Sequence, residues 1–324
     1  MCQRGRKTVV FVTGLCPRRC FYCPLSEERR GRDVFYVNER RLEPEDVRGI
    51  LREILACDST GASLTGGDPL ARLERTARLI RILKDYLSDD FHLHLYTTGI
   101  ALSKKTLGEL ERAGLDELRI HPEREHWDKL ELALRESSMV VGAEIPVLPD
   151  AESEIEEFML YLDRIEAHFL NMNELEFAET NALALLQRGY RMRGDYVSAV
   201  GSRELAAKLI EWGAENTSLD LHFCPARIKD LFQTGLRLYR RASATAEPYE
   251  TVTDEGLKAH LEVVAGERAR DFLARVPPCM ASVRGGRVLT SLHFAELARA
   301  LGLEAYAVER YPTPGGLVAS RARI

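Results

Sequence analysis

Three of the seven cysteines stand within eight residues of one another, in the segment CPRRCFYC that runs from Cys16 through Cys20 to Cys23. This C-x3-C-x2-C spacing lets three thiolates hold three irons of a [4Fe–4S] cube and leaves the fourth iron open to a substrate or cofactor. A closed zinc site needs a fourth ligand nearby, and the segment supplies none. Zinc binding and three unconnected loop cysteines remain as alternatives to the iron–sulfur cluster.

A second motif, Thr65-Gly66-Gly67-Asp68-Pro69, lies about 40 residues after the cysteines. Two adjacent glycines allow the backbone to come closer to another group than any side chain would permit. Alone, the motif predicts only a turn, so its meaning depends on the elements around it.

Hydrophobic periodicity predicts alternating strands and helices as far as about residue 224, which is typical of a parallel α/β sheet or barrel. The predicted strands are Lys7–Thr13, Ala62–Leu64, Phe91–Tyr96, Glu117–Ile120, Met139–Val147, Glu174–Ala178 and Leu219–Phe223. The predicted helices are Pro44–Cys57, Leu73–Leu87, Leu102–Ala113, His126–Ser137, Ser153–His168 and Arg203–Trp212. Because such crossovers are right-handed, about seven strand–helix steps favour a full or partial barrel, with the two motifs after its first two strands.

The remaining chain predicts a small α+β appendage. The expected features are a linker at Arg241–Pro248, a helix around Asp254–Leu273, a hairpin turn at Arg284–Arg287, a helix at Phe294–Leu301 and two strands flanking Pro312–Gly316. We therefore predict two domains, a barrel of residues 1–244 and an α+β domain of residues 245–324.

The cysteine segment, including Tyr22 before the last cysteine, resembles the signature of the radical S-adenosylmethionine (radical SAM) superfamily. The resemblance implies a partial (β/α)6 barrel over about residues 7–224, with the cluster at the top of the first strand. It also implies that SAM binds the open iron and that the reduced cluster cleaves it to a 5′-deoxyadenosyl radical, which abstracts hydrogen from a substrate. The glycine motif follows the second strand, where the superfamily commonly has GGE-P, and Asp68 replaces that glutamate.

The resemblance also implies which residues contact SAM. Thr97-Thr98-Gly99 ends the third strand, His121 ends the fourth and Glu144 lies in the fifth, positions where polar side chains line the open end of such barrels. Each of these could equally be a satisfied polar residue at the rim. The expected cofactor-binding residues are Tyr22, Thr65, Gly66, Gly67, Asp68, Thr98, His121 and Glu144, and the expected metal ligands are Cys16, Cys20 and Cys23.

Three further features concern the substrate. Glu174 and Glu176 share one face of the predicted sixth strand, which favours a polar cavity over a solvated edge. Cys224 ends the last strand and is a candidate active-site thiol or hydrogen-atom donor, with a buried structural cysteine as the alternative. A basic segment contains Arg227, Lys229, Arg237, Arg240 and Arg241; it is either a solvated helix or a site for an anionic substrate.

Composition bears on the class of protein and on its compartment. The 324 residues include 45 Lys+Arg and 50 Asp+Glu, a net charge of −5, without the strongly basic balance of most RNA-binding proteins. No apolar run is long enough to cross a membrane, and no signal peptide is recognisable, so we expect a cytoplasmic protein in a reducing compartment. Only eight Asn and Gln residues occur, which hints at a thermophile.

The sequence therefore predicts a radical SAM enzyme most similar to proteins related to the pyruvate formate-lyase activating enzyme, a group that includes archaeal proteins of unassigned substrate. Its substrate is RNA, a peptide or a small metabolite, and its electron donor a reductant such as ferredoxin or flavodoxin. One alternative is an activase that installs a glycyl radical on a partner protein, although the C-terminal appendage argues against a simple activase. The other is a non-enzymatic iron–sulfur or zinc protein.

Overall fold

A computed structural model describes residues 4–264, 266 and 269–324 of the chain. Their contacts divide them into two compact units. The barrel unit holds residues 7–53 and 60–231, and the C-terminal unit holds residues 4–6, 54–59 and 232–324. The predicted domain boundary at residue 244 stays a prediction.

The barrel unit is built on a nine-stranded sheet in the order β3-β2-β1-β4-β5-β6-β7-β8-β9. Its strands are β1 Lys7–Thr13, β2 Tyr36–Val37, β3 Arg40–Arg41, β4 Gly61–Gly66, β5 His92–Thr97, β6 Glu117–Ile120, β7 Val140–Val147, β8 Phe169–Glu174 and β9 Asp220–Cys224. Strands β2 and β3 form an antiparallel edge hairpin, and the other seven strands are parallel.

Helical connections link the parallel strands. These helices are α1 Val47–Ala56, α2 Leu73–Leu87, α3 Lys104–Ala113, α4 Asp128–Glu136, α5 Glu152–Arg164, α6 Ala182–Gln187 and α7 Ser202–Asn216. Six strand–helix units thus precede a seventh strand, β9. The α/β fold with a partial (β/α)6 barrel and a small C-terminal α+β region is confirmed.

The two faces of the parallel sheet differ sharply in polarity. Leu95 and Leu118 are fully buried on one face, as expected for the side that helices cover. His94, Arg119 and Glu144 alternate with such residues along their strands and so lie on the opposite, inner face. The barrel therefore has an apolar outside, under the helices, and a polar inside.

The sixth parallel strand is earlier than predicted. β8 spans Phe169–Glu174 instead of Glu174–Ala178, so Asn171 and Asn173 lie on the inner face and Glu176 lies beyond the strand. The predicted shared face of Glu174 and Glu176 is therefore wrong. Glu174 is buried on the other face, where it accepts hydrogen bonds from Arg203. The sequence did not indicate a strand at this position, because asparagine is uncommon in strands.

The second sheet, in the C-terminal unit, has the order β12-β13-β11-β14-β15, with β10 also pairing with β11. Its strands are β10 Thr251–Val252, β11 Lys258–Val264, β12 Ala281–Arg284, β13 Arg287–Thr290, β14 Ala305–Arg310 and β15 Val318–Arg323. After α8 (Ala226–Ile228) and a π-helical turn (Lys229–Thr234), the remaining helices are α9 Gly235–Thr245, α10 Ala269–Leu273 and α11 Ala295–Ala300.

Two predictions for this region are wrong. The expected helix at Asp254–Leu273 is mostly strand β11, with helix α10 only at its end; positions 265, 267 and 268 of that prediction lie outside the described residues. The expected linker at Arg241–Pro248 begins inside helix α9.

The hairpin turn was predicted correctly: Gly285 and Gly286 have φ values of +54° and +75°, as a type I′ turn requires. The last helix and the two final strands are also confirmed. No helix among the described ranges is long and apolar enough to cross a membrane.

Candidate functional site

The cysteine loop, residues 14–35, connects β1 to the edge hairpin and contains three free thiols. Cys16 is exposed, and Cys20 and Cys23 are half-buried. The backbone N–H of Arg18 donates to Cys16 Sγ at 3.4 Å, and the N–H of Cys23 donates to the carbonyl of Cys20 at 3.2 Å. These turns fold the segment back on itself at the carboxyl end of β1, where a barrel carries its functional residues.

The glycine motif packs directly against the start of this loop. The N–H of Gly67 donates to the carbonyl of Thr13 at 2.8 Å, and the N–H of Asp68 donates to the carbonyl of Leu15 at 2.7 Å. A Cβ at Gly66 would lie 2.1 Å from the Thr13 oxygen, and one at Gly67 would lie 2.4 Å from the Leu15 oxygen. Both glycines are therefore required for the contact between β4 and the cysteine loop.

Asp68 joins the end of β4 to the end of β5. Its side chain is buried and accepts hydrogen bonds from the N–H groups of Leu70 and Thr98, both at 3.0 Å. The hydroxyls of Thr97 and Thr98 donate to the same carboxylate at 3.0 Å and 2.6 Å. Since the carboxylate is surrounded by donors from its own chain, it holds two strand ends at a fixed separation.

The cysteine loop also bonds to the end of β6. The Tyr22 hydroxyl lies 3.0 Å from His121 Nε2, and the two rings stack with centroids 5.8 Å apart. Arg18 Nη1 donates to the His121 carbonyl at 2.7 Å, while Nη2 pairs with Glu123 at 3.1 Å. The Arg18 side chain is 8% exposed, and its Nε is buried with no hydrogen-bond partner among the described residues. Arg18 was not singled out from the sequence, because an arginine between cysteines gives no signal of burial.

Burial lowers the pKa of His121 to about 3, and the nearby charge of Arg18 contributes to the shift. The imidazole is therefore neutral near pH 7. Burial raises the pKa of Tyr22, as does the charge of Cys20. The neutral histidine and the protonated tyrosine share one hydrogen bond, and this keeps the loop attached to β6 without adding charge.

A third attachment comes from the insertion, residues 175–201, which lies between β8 and α7. The fully buried Asn181 donates from Nδ2 to the carbonyls of Tyr22 and Glu176, both at 2.9 Å. Phe21 and Tyr22 pack against the apolar core of the insertion, which includes Phe177. The insertion therefore fixes the stretch of the cysteine loop that lies between Cys20 and Cys23.

Charged groups on the inner face of the barrel form a network. Arg119 bridges Glu117 and Glu144, with 2.7 Å to the Glu144 carboxylate. Asn171 and Asn173 donate to Glu144 at 3.2 Å and 2.8 Å. The resemblance identified Glu144 but missed Arg119; the alternation of Glu117 and Arg119 in a short buried strand was the signal that could have revealed it.

Cys224, at the end of β9, pairs in register with Asn173 of β8. Lys229 bonds to Glu176 at 2.6 Å, and the charges of Glu176, Cys224 and Glu144 raise its pKa against the opposing effect of burial. An ammonium group therefore lies near the thiol that was predicted as an active-site residue.

The basic segment does not form one exposed surface. Of its five cationic residues, Arg227 is exposed, Lys229 is paired with Glu176, and Arg237 and Arg241 are buried. The segment also divides between the two units after residue 231, so Arg240 belongs to the C-terminal unit. An extended anion-binding face along these residues is therefore wrong.

The chemistry of the three thiols fits an iron–sulfur cluster. Although the residue as a whole is exposed, partial burial of its sulfur raises the pKa of the Cys16 thiol. The Arg18 N–H opposes this rise, and the charges of Asp68, Cys20 and Cys23 add to it. Thiolates that repel one another in this way are stabilised by a cationic iron centre.

Most of the predicted residues meet at one end of the barrel. Hydrogen bonds link Gly67 to the end of β1, the cysteine loop to Asp68 and His121, and Asp68 to Thr98. The His121 N–H also donates to the Thr97 carbonyl at 2.8 Å, which closes this hydrogen-bonded rim. Thr65 lies one residue before the rim on β4, while Glu144 and Cys224 lie on β7 and β9, outside this set of hydrogen bonds.

Comparison with known proteins identifies a matching family and similar relatives. Residues 10–124 match the family described as the radical SAM superfamily. A protein of Methanocaldococcus jannaschii with the provisional name glycyl-radical enzyme activating enzyme is 40% identical over 269 residues, which cover 79% of this chain and 70% of the relative. A protein of Pyrococcus abyssi named probable GTP 3′,8-cyclase is 33% identical over 112 residues, 34% of this chain and 32% of that protein.

A solved structure shares the fold at low identity. SuiB of Streptococcus suis, solved with its precursor peptide SuiA, superposes with a TM-score of 0.50 and 11% sequence identity. The match covers 69% of this chain and 49% of SuiB, so the chain spans about half the length of that protein.

Proposed function

Because the chain belongs to the radical SAM superfamily, we propose that it is an enzyme that abstracts a hydrogen atom from a polar substrate held at the inner face of its barrel. Its cofactors are SAM and a [4Fe–4S] cluster. When bound and reduced, the cluster supplies the electron that splits SAM into methionine and a 5′-deoxyadenosyl radical. The observation that carries this proposal is the attachment of the cysteine loop to the ends of β4 and β6, at the rim of a charged inner face.

We propose that Cys16, Cys20 and Cys23 hold the cluster and that the remaining predicted residues bind SAM. Asp68 acts as a positioning residue, since its carboxylate is occupied by donors from Leu70, from Thr97 at the end of β5 and from Thr98 after it. Thr65, Gly66 and Gly67 then present backbone groups to the cofactor. Tyr22, Thr98, His121 and Glu144 complete the proposed site.

The polarity of the inner face supports a polar substrate. Arg119, Glu144 and two asparagines offer both donors and acceptors. A wholly apolar substrate would exclude water from these groups without replacing its hydrogen bonds, which costs free energy. We propose a peptide, an RNA nucleotide or a small metabolite with hydrogen-bonding groups. Cys224 is proposed as the active-site thiol on the β9 side of this face.

A second candidate function is the activation of a glycyl-radical enzyme. It is favoured by the name of the archaeal relative, which is similar over most of both chains. In that case the substrate is a glycine in a polypeptide segment of a partner protein, whose amides could bond to the same polar groups.

The first experiment is anaerobic reconstitution with iron and sulfide, followed by reduction with SAM and an assay for 5′-deoxyadenosine. The wild type should bind about four irons per chain and form the product. The Cys16→Ala/Cys20→Ala/Cys23→Ala variant should do neither, and Cys279→Ala, an exposed thiol in the C-terminal unit, is the matched control. Absence of iron from the wild type would refute the proposal.

Electron paramagnetic resonance separates the two candidate functions. An activase leaves a persistent glycyl radical on its partner after SAM cleavage, whereas an enzyme that modifies a small substrate leaves a diamagnetic product. Incubation with cell extract fractions of the source organism, followed by spectroscopy and mass analysis, distinguishes these outcomes.

A further inference from the structure

The surroundings of the cysteine loop carry a charge opposite to that of the whole chain. The cysteine loop, residues 14–35, contains five arginines and three acidic residues, a net charge of +2. The insertion, residues 175–201, contains three arginines and three acidic residues and is neutral, but its arginines all lie within residues 188–193, and its Glu176 is paired with Lys229. The complete chain has a net charge of −5. Positive charge is therefore concentrated where the cluster cysteines lie.

The arginine-containing part of the insertion contacts the cysteine loop. The Arg188 guanidinium lies 3.9 Å from the centre of the Phe21 ring, and Phe21 stacks on Tyr190 at 6.4 Å between ring centroids. Together with the bond from Asn181 to the Tyr22 carbonyl, these contacts make the outer surface of the insertion continuous with the cysteine loop.

The outer surface of the insertion is also unusually apolar. Tyr196 is 82% exposed and Leu183 is 69% exposed, and Leu186, Met192 and Val200 are exposed as well. Arg188 and Arg191 are exposed among them, whereas Asp195 is half-buried and occupied by hydrogen bonds from Ser198. The insertion also exposes Glu179, and its Arg193 pairs with Glu204, so the exposed positive charge is that of Arg188 and Arg191. Exposed apolar side chains next to arginines are typical of a surface that binds an acidic protein transiently.

We propose that this insertion surface is the docking site for the electron donor, a small acidic protein with a low-potential iron–sulfur or flavin centre. The proposal rests on the proposed function, because only a reductively activated cluster requires a donor. In each encounter the donor loses one electron, the cluster held by the three cysteines gains it, and no proton is transferred. Charge complementarity selects an acidic donor, and the exposed apolar groups supply the contact area once the two proteins meet.

Two electron sources test this proposal. Wild-type enzyme is reduced either by an acidic ferredoxin or by methyl viologen, a small cation that needs no basic surface, and 5′-deoxyadenosine formation is measured. The variant Gln187→Glu/Arg191→Glu changes the charge of the docking surface by −3 without touching the cysteine loop. Lys105→Glu/Arg112→Gln makes the same change on the exposed side of α3.

We expect the docking-surface variant to lose about tenfold or more of its ferredoxin-driven rate at low salt and to keep its viologen-driven rate. The α3 variant should keep both rates. Raising the salt concentration should reduce the ferredoxin-driven rate of the wild type more than that of the docking-surface variant. A Leu183→Ser/Tyr196→Ser variant should also lose the ferredoxin-driven rate selectively, since it removes apolar contact area.

Equal ferredoxin-driven rates in the wild type and the docking-surface variant would overturn the proposal. So would a loss of both rates, because the insertion would then support the site itself. If the wild type forms no 5′-deoxyadenosine even with methyl viologen, the proposed function has failed, and this result is distinguishable from a failure of docking.

Discussion

At the scale of single residues, the buried carboxylate of Asp68 accepts hydrogen bonds from four donors at the rim. Asp68→Asn keeps the shape but turns an amide NH2 toward donors, so at least one buried donor loses its acceptor. We expect a loss of about 1–3 kcal/mol in the free energy of unfolding, measured by urea titration of the iron-free chain. Asp85→Asn, on the exposed side of α2, is the control and should change stability by only a few tenths of a kcal/mol. Equal losses in the two variants would contradict the role given to Asp68.

We predict that the free energy of unfolding depends on pH through Glu117, which lies at the amino end of β6. Burial disfavours its charged form, but the hydrogen bond from His92 and the charge of Arg119 prevail and lower its pKa to about 2 from 4.5. The folded state therefore binds fewer protons than the unfolded state, so the stabilisation is complete above pH 4.5 and is lost as the pH falls toward 2. Glu117→Gln should remove this dependence, which amounts to at most about 3 kcal/mol. A difference in unfolding free energy between wild type and variant that is the same at pH 7 and pH 3 would disprove it.

The residue scale also shows how far the sequence could predict the site. Cysteine spacing and the paired glycines are local patterns, so the loop and its contact with β4 could be anticipated from them. The roles of Arg18 and Asn181 could not, because each depends on a partner about 100 or more residues away in the chain: His121 for Arg18 and Tyr22 for Asn181. Nothing near either residue in sequence signals that partner.

At the scale of elements, the insertion and the cysteine loop should behave as one piece. Asn181→Ala removes the bond to the Tyr22 carbonyl and leaves buried polar groups without partners. We expect the variant to fold but to retain less iron after reconstitution and gel filtration, and to form 5′-deoxyadenosine more slowly. Asn216→Ala, which removes a bond at the exposed end of α7, is the control. Full iron retention in the Asn181 variant would show that the insertion does not support the loop.

The limits of a helix or strand could be predicted where the hydrophobic pattern of its sequence matched the burial of its side chains in the structure. Helix α2 and strand β6 have the predicted limits, because each has one apolar face. Strand β11 was predicted as a helix because it is central in its sheet and all its residues from Ala259 to Val263 are buried, which removes the alternation typical of a strand. Its polar residue Glu262 is satisfied by arginines of other strands, and a local pattern cannot show this.

At the scale of the whole molecule, the two compact units make separate tests possible. Glu262 in the C-terminal unit is buried among Arg287, Arg310 and Arg321. Glu262→Gln leaves three partly exposed guanidinium groups without their carboxylate, and we expect a loss of about 1–3 kcal/mol in the stability of that unit. Differential scanning calorimetry should show its transition at a lower temperature, while iron binding in the barrel unit is kept.

The control for this variant is Glu296→Gln, whose carboxylate is 91% exposed beside Arg299. It should leave the calorimetric transitions unchanged. A parallel decrease in iron content and stability in the Glu262 variant would mean that the units do not unfold separately.

The attachment of the cysteine loop has a consequence for how the protein acquires its metal. Arg18, Tyr22 and Asn181 secure the loop through groups other than the thiols, and the glycine motif does so through the backbone. In small zinc domains, by contrast, the energy of metal binding is also the energy of folding. Here the chain should fold first and receive iron afterwards, so that loss of the cluster to oxygen leaves an intact apoprotein that can be reloaded through the exposed Cys16.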